Sequence, residues 1–568
     1  MSDAPTRRSL LSLDRRWIAL VVFVFALGLR LIGIDWGLPN ALHNQSYHPD
    51  EPIIWIYSQQ VNPAGGDFDP GFYNYGTLYL SLLRVATDIT HAYVSKPDPN
   101  DPDGMWKLIG SYHLAGRVIS AVAGAVTVLW VWLISRRIMN PFGAIFAALA
   151  VAVAPGHVVH SRFQTVDVLA ACFLVGSACF ALRLLPGRED EVEPWSPMKL
   201  AVLSGVLAGL SAGTKYTGIL ALVTLWVVLF MYKPKDWTKC LVLGTVGSVL
   251  VFVVSTPGIL INTSKFMQDF VYEMQHTSAG HGMVFAATGS GFVFHLLNLF
   301  EGFGMVMTLL GLGGLVWAVW KRQPWAIALF AFFLLYYVLI GRAEVKFLRY
   351  TFPLYLGLAV GFGWMVAKMH ERADWKRGLV VLAIAGLMGL DGTGLRSALM
   401  YTLDMTRQDP RDEVAAHLKQ AAAGTTDSVG IVSDAWFYTP ALFKDVGLPR
   451  SVPFEERLRV QSEATEPRVV QSLPANPAER FDWDARLVTE MRPERIVFSS
   501  FEYQDPLRLR GVAGLPPEIQ VQVDRCKTFT DALNESYTLE KVFGTPGALI
   551  HDMQYVRPLV WVWKRNEP

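Results

Sequence analysis

The stretch "YNYGTLYLSLLRVATDITHAYV", residues 73 to 94, decides how the rest of the chain is arranged. It reaches the roughly 20 apolar residues that a helix needs to cross a bilayer, and counting it as a span reverses the sidedness of everything after it. Arg84, Asp88 and His91 lie inside it. A charged side chain at the bilayer centre costs roughly 2.5 to 3.5 kcal/mol on insertion scales, so three polar groups argue against a span. The aromatic-rich start suits a helix lying in the membrane interface. Residues 36 to 109 are therefore read as one long loop with interfacial helices, closed by the turn-rich "KPDPNDPDG" of residues 96 to 104.

The assumption that there is a membrane comes from composition. The 568 residues are 52% hydrophobic and 17% charged, with a mean hydropathy of +0.30, too apolar for an ordinary soluble chain of this length. The apolar residues fall in blocks separated by short charged loops. A net charge of +1 argues against nucleic acid as a partner, since phosphate binding leaves a basic excess. The four cysteines, Cys172, Cys179, Cys240 and Cys526, are scattered and imply no disulfide frame.

The N-terminal "MSDAPTRRSLLSLDRRW" precedes an apolar block without a small-residue cleavage site, and is read as leading a retained first helix that starts in the cytoplasm. Spans follow at residues 17–35, 110–135, 141–156, 166–184, 198–214, 216–232, 240–258, 293–320, 324–341, 350–368 and 378–396, eleven in all. With that count the cytoplasmic loops hold Arg136 and Arg137, then Lys233, Lys235 and Lys239, then Lys321 and Arg322, then Lys368, Arg372, Lys376 and Arg377, as the positive-inside rule requires. One cluster breaks the pattern: Arg342, Lys346 and Arg349 of "GRAEVKFLRY" fall on the outer side, which demands that those cations have a task.

After residue 396 apolar runs shorten and charges become frequent. "RDEVAAHLKQAAA" has helical periodicity, "VGIVSD", "RIVFSS" and "PLVWVWKR" read as strands, and "SLPANPAER" and "GVAGLPPEIQ" as turn-rich loops. The expectation is a polytopic α-helical membrane domain over residues 1–396, with about eleven transmembrane helices, and a soluble α/β domain over 397–568 on the outer side.

Polar groups gather in the outer loops. "NQSYHPDEPIIW", residues 44 to 55, places Asp50 and Glu51 just past the first helix. Acids there serve as a general base, join a metal, or simply favour a helix N-terminus. "GHVVHSRFQTVDVLAAC" holds His157, His160, Arg162 and Asp167. The histidines, at i and i+3, can share one ligand or stand as interfacial side chains. Asp167, at the edge of an apolar helix, needs a cation, a metal or a polar cavity beside it. "LSAGTKYTGILAL" puts Lys215 in a tight hairpin, where it binds an anion or snorkels. "QDFVYEMQHTSAGHG" adds Glu273, His276 and His281, each a metal ligand or a solvated group. Arginine forks match phosphate oxygens, so a phosphate ligand gives the misplaced Arg342, Lys346 and Arg349 their task.

In order, "YHPDE", "YNYGTLYL", "HLAGRVIS", "HSRFQTVDV", "GTKYTG" and "KFLRYTFPLYLG" resemble the membrane glycosyltransferases of the C-type class, family 39. These phospholipid-carrier-dependent enzymes include protein O-mannosyltransferases and lipid A aminoarabinose transferases. The resemblance spans the membrane part, to about residue 396. It implies a sugar on a polyprenyl phosphate as donor, a hydroxyl of an envelope acceptor (glycan, lipid or protein), and inversion at the anomeric carbon. Asp50 is implied as base with Glu51 positioning acceptor or ion, Lys215, Arg342, Lys346 and Arg349 as phosphate ligands, and Asp167 as a second cavity acid. Metal use varies within the class, so a divalent ion among the acids and His157 or His160 stays open. The setting implied is the bacterial cytoplasmic membrane, with the site on its outer side. Sugar-binding repeats of the eukaryotic branch are not seen after residue 396, which weighs against a protein acceptor.

The rival class, a transporter or flippase for a lipid-linked sugar, predicts matching inverted halves and charges buried within spans; the sequence shows no internal repeat. The topology makes its own prediction. Cysteines placed at Gly65 and Ser462 are both labelled by a membrane-impermeant reagent in intact cells, and labelling of only one makes residues 73–94 a span after all.

Overall fold

The computed structural model describes residues 15–40, 43, 45–94, 98, 101, 104–188, 193–372, 377–442, 468–470, 481–547 and 550–567. The extreme N-terminus, most of "KPDPNDPDG" and all of "SLPANPAER" lie outside the described residues. Among the described residues six helices are long and apolar enough to cross a membrane: Gly104–Ile138, Pro197–Thr214, Trp237–Ser255, Gly291–Trp320, Pro324–Gly341 and Leu348–His370. Pro141–Ala152, Val166–Leu182, Tyr216–Tyr232 and Gly378–Met388 are apolar but shorter. Arg15–Leu31 opens the bundle.

Two packing devices organise these helices. Val166–Leu182 is apolar on every face, and every residue but Phe173 is buried, as expected of a helix enclosed all round. Elsewhere small residues let backbones touch, the usual means of association where lipid is as apolar as the side chains. A Cβ on Gly205 would collide with the Gly244 carbonyl, bringing Pro197–Thr214 against Trp237–Ser255. A Cβ on Gly314 would collide with the Gly361 carbonyl, bringing Met305–Trp320 against Tyr355–His370.

Residues 73 to 94 form a docked strap and then a helix, Leu78–Tyr93. Its 16 residues extend about 24 Å at 1.5 Å per residue. Tyr79, Leu80, Leu83 and Thr87 are buried, and Leu82, Val85 and Ile89 are exposed. Arg84 stays within the loop, donating to Asp88 at 2.9 Å and to the Gln59 and Val61 carbonyls at 3.2 and 2.7 Å. The strap before it lies on the Lys215 hairpin. The Tyr216 hydroxyl donates to the Tyr73 and Tyr75 carbonyls at 2.6 and 3.0 Å, and Gly76 meets the backbone of Gly213 with no room for a side chain.

The C-terminal part contains a five-stranded sheet in the order β2-β1-β3-β5-β4, with β1 Ser428–Ile431, β2 Arg468–Val470, β3 Arg495–Ser499, β4 Tyr537–Phe543 and β5 Val560–Arg565. β2, β1 and β3 run parallel, and β5 is antiparallel to both β3 and β4. The strands expected in "VGIVSD", "RIVFSS" and "PLVWVWKR" are β1, β3 and β5. Side chains alternate across β3: Val497 packs with Val414 and Leu418 of Pro410–Ala421, while Ile496 and Phe498 pack with Phe529 and Leu533 of Pro517–Ser536.

A buried cation fastens this part to the bundle. Arg411, fully buried, pairs with Asp409 at 2.7 Å and donates to the Phe437 and Tyr555 carbonyls, both at 2.8 Å. Its guanidinium lies 3.7 Å from the Tyr47 ring centre. Trp36 donates to Asp409 at 3.1 Å, and Tyr47 to Asp412 at 2.6 Å. Phe437, Met553 and Tyr555 consequently belong to the same apolar core as the bundle helices.

Candidate functional site

Four segments far apart in sequence bring charge to one point. Asp50 opens the helix Asp50–Ser58, Asp167 stands in the first turn of Val166–Leu182, Lys215 ends Pro197–Thr214 in extended backbone, and Arg349 lies in the 3₁₀ turn Leu348–Leu354. The Lys215 Nζ is 2.6 Å from Asp167 Oδ1 and 4.2 Å from the Tyr350 ring centre. The Arg349 guanidinium is 3.3 Å from Asp50 Oδ2, 3.7 Å from Asp167 Oδ2 and 3.3 Å from Asp552 Oδ2. Buried charges persist only when paired in this way.

The three acids differ in access. The Asp50 side chain is 27% exposed, Asp167 6% and Asp552 0%, so Asp50 is the carboxylate that a molecule in the adjoining space can reach. The turn carrying it is held by His48, whose Nδ1 accepts from the Asp50 N–H at 3.2 Å. Burial holds the His48 imidazole down at about 4, against the pull of Asp50 and Glu51. Burial, then the Arg349 charge, holds His551 at about 3. Both rings are neutral near pH 7.

Two cavities meet here. One, of 440 Å³, is bordered by Asp50, Arg349, His276 and His281 and by aromatic side chains including Trp436 and Tyr555. The other, of 280 Å³, is nearly all apolar, with Leu220, Phe270, Tyr336 and Leu339 on its walls and Lys215 as its cation. Asn74, Tyr75, Glu273 and Tyr350 border both. The docked strap thus forms part of the partition.

The other residues singled out in the sequence lie elsewhere. Glu51 is fully buried and borders neither cavity: it accepts from Arg117 at 2.8 and 2.7 Å, from the Gln164 N–H at 2.7 Å, and from Ser46. Burial pushes its carboxyl up, but Arg117 outweighs that and holds it at about 2. Lys346 is buried and donates to the Gly289 carbonyl at 3.0 Å and Thr288 at 3.1 Å, beside Glu344. Arg342 is exposed and borders neither cavity. Of the cationic cluster, only Arg349 turns inward. His157 faces the Arg30 guanidinium at 2.9 Å, a neighbour that opposes a metal cation, and His160 packs edge-on against Phe163 and Phe352. Among the described residues no three His, Cys, Asp or Glu side chains are grouped to hold a metal ion. His281 Nδ1 and His276 Nε2 lie 3.2 Å apart at the cavity wall. Sequence reasoning missed Arg117, whose charge inside an apolar helix was the available signal, and Asp552, for which "ALIHDMQYV" offers none.

Residues 103–261 match the sequence model of the family described as dolichyl-phosphate-mannose-protein mannosyltransferase. That stretch contains "HLAGRVIS", "HSRFQTVDV" and "GTKYTG", so the resemblance to the C-type glycosyltransferases is borne out there. No curated protein matches the chain. Among solved structures, ArnT from Cupriavidus metallidurans in the apo state aligns over 97% of this chain and 98% of its own, at 16% identity and a TM-score of 0.48. The oligosaccharyltransferase AglB from Archaeoglobus fulgidus, in complex with an inhibitory peptide and a dolichol-phosphate, aligns over 94% and 74%, at 11% identity and a TM-score of 0.47. The Pmt1-Pmt2 protein O-mannosyltransferase complex of S. cerevisiae aligns over 47% and 35%, at 15% identity and a TM-score of 0.29.

The Glu51–Arg117 pair, with both side chains at 0% exposure, yields a stability prediction. Glu51→Gln leaves a buried guanidinium without its counter-charge, at a cost of about 3 to 5 kcal/mol. The purified variant is expected to unfold at clearly lower temperature than wild type, and by more than Asp50→Asn, whose carboxylate is 27% exposed and whose loss leaves Arg349 two other acids. An unchanged midpoint for Glu51→Gln contradicts the structural role.

Proposed function

We propose that this chain is a multi-pass membrane glycosyltransferase that moves one sugar from a polyprenyl-phosphate donor to a hydroxyl of an envelope acceptor. The observation that carries this reading is the meeting of two unlike cavities at one cluster of charge. A lipid phosphate sugar is an apolar chain ending in an anion, which suits the apolar cavity with Lys215 at its charged end. An acceptor is polar and needs a base, which suits the cavity where Asp50 is the accessible carboxylate of the Arg349 cluster.

In this account the acceptor hydroxyl gives its proton to Asp50 as its oxygen attacks the anomeric carbon, the bond from that carbon to the phosphate oxygen breaks, and polyprenyl phosphate leaves with the electron pair. Attack from the acceptor cavity, opposite the departing phosphate, inverts the anomeric carbon. Lys215 and Arg349 meet the charge that develops on the phosphate, and being already held by Asp167 and Asp552 they need little rearrangement to do so. Asp167 is a positioning residue for both cations, and Glu51 acts through Arg117 on the loop that carries Asp50. Eleven spans, a cytoplasmic N-terminus, and the site and C-terminal α/β domain on the outer face of the bacterial inner membrane complete the reading.

Asp50→Asn keeps the size of the base and removes its basicity. Since a positioned base contributes about 100- to 10,000-fold, turnover is expected to fall at least about 100-fold while donor affinity stays near wild type. Detergent-solubilised protein is the right sample, because a flippase has no measurable activity without compartments. Near-normal turnover in Asp50→Asn overturns the assignment. Weakened donor binding that added divalent ion restores, and chelator abolishes, assigns Asp50 to a metal instead.

A further inference from the structure

The C-terminal sheet offers more than a cover, on the premise that the 440 Å³ cavity receives the acceptor. In the order β2-β1-β3 the chain leaves β1 towards one side and returns on the other, and in open α/β sheets such a switch point, at the carboxyl ends of the strands, is where ligands bind. Here those ends face the cavity. Trp436, Phe437 and Tyr438, just after β1, and Phe501, just after β3, all border it.

The rings form a preassembled wall. Phe437 lies 5.0 Å from Phe501 and 5.7 Å from Tyr555, and Phe501 stacks on Tyr555 at 5.5 Å. Trp436 is the outermost ring, 5.1 Å from Phe437 and still 44% exposed. Its backbone is fixed: the main-chain N–H donates to Thr439 Oγ1 and the Thr439 N–H to its carbonyl, both at 2.9 Å. A large ring held in place yet left uncovered at a cavity rim is available to a ligand. Beside it the Tyr438 hydroxyl accepts from Ser433 at 3.4 Å, and the His276–His281 pair adds polar edges.

We infer that this wall is the acceptor subsite and that the acceptor is a saccharide, one ring seated on Trp436 and its neighbouring hydroxyls met by the polar rim. A sugar has the matching surface, a C–H face for stacking and a hydroxyl edge. A peptide fits less well, because extended peptides are recognised by adding to a free strand edge, whereas β1 and β3 each have a partner on both sides.

The test uses the full chain, purified in detergent, on a surface printed with defined mannose-, glucose-, galactose- and rhamnose-containing oligosaccharides and, beside them, serine- and threonine-containing peptides. Wild type is expected to be retained on a subset of the saccharides, Trp436→Ala to bind that subset at least about tenfold more weakly, and Trp436→Phe to keep most of the binding. Equal saccharide binding by wild type and Trp436→Ala, no saccharide binding by wild type, or retention on peptides alone overturns the inference. Undecaprenyl phosphate binding is measured on the same samples and is expected to be equal in all three. If none of them binds it while Trp436-dependent saccharide binding persists, the transferase reading falls and the saccharide subsite stands.

Discussion

A single buried guanidinium, Arg349, ties together the parts of this molecule that sequence keeps apart. It faces Asp50 from the first long loop, Asp167 from the enclosed helix and Asp552 from the C-terminal part. Removing any one of these acids takes away part of the charge that makes an arginine tolerable at 7% side-chain exposure. The same three contacts place the accessible carboxylate, the inner acid paired to Lys215 and the aromatic wall around one point. Fold and site are thus stabilised by the same charges.

Two other arginines act as local anchors. Arg117 holds the Asp50 loop through Glu51 and through the carbonyls of Ile34 and Trp36, at 2.8 and 2.6 Å. Arg411 holds the loops carrying Phe437 and Tyr555. Each satisfies four or more acceptor contacts at once, which a planar five-donor fork can do and the three donors of an ammonium cannot. The cavity is therefore built on fixed supports, as the proposed placing of an acceptor hydroxyl beside a base requires.

Much of the architecture was legible because periodicity and charge cost are local properties. Arg84 and Asp88, the charges that weighed against residues 73–94 as a span, pair with each other along Leu78–Tyr93; β1, β3 and β5 announced themselves as short apolar runs. The apolar blocks at 141–156 and 166–184 form helices of 12 and 17 residues, because helix ends are set by capping and tertiary packing that hydropathy does not register. At the site, Asp50, Asp167, Lys215 and Arg349 were readable as charges out of place. Which of "GRAEVKFLRY" turns inward was not: the 3₁₀ turn starting at Leu348 rotates Arg349 towards the cavity, while Lys346 finds carbonyls of another loop. Asp552 was hidden because its partner lies about two hundred residues earlier in the chain.

In the proposed reaction the lipid phosphate and the acceptor approach Asp50 and Arg349 from separate, adjoining cavities. The most direct measurement is an electron cryomicroscopy structure of the chain with undecaprenyl phosphate. The account predicts the phosphate beside Lys215 and Arg349, the isoprenoid chain in the cavity walled by Leu220, Phe270 and Leu339, and the Asp50 cavity left open. A phosphate bound instead at Arg342 or Lys346, or an isoprenoid chain filling the cavity beside Trp436, would contradict it.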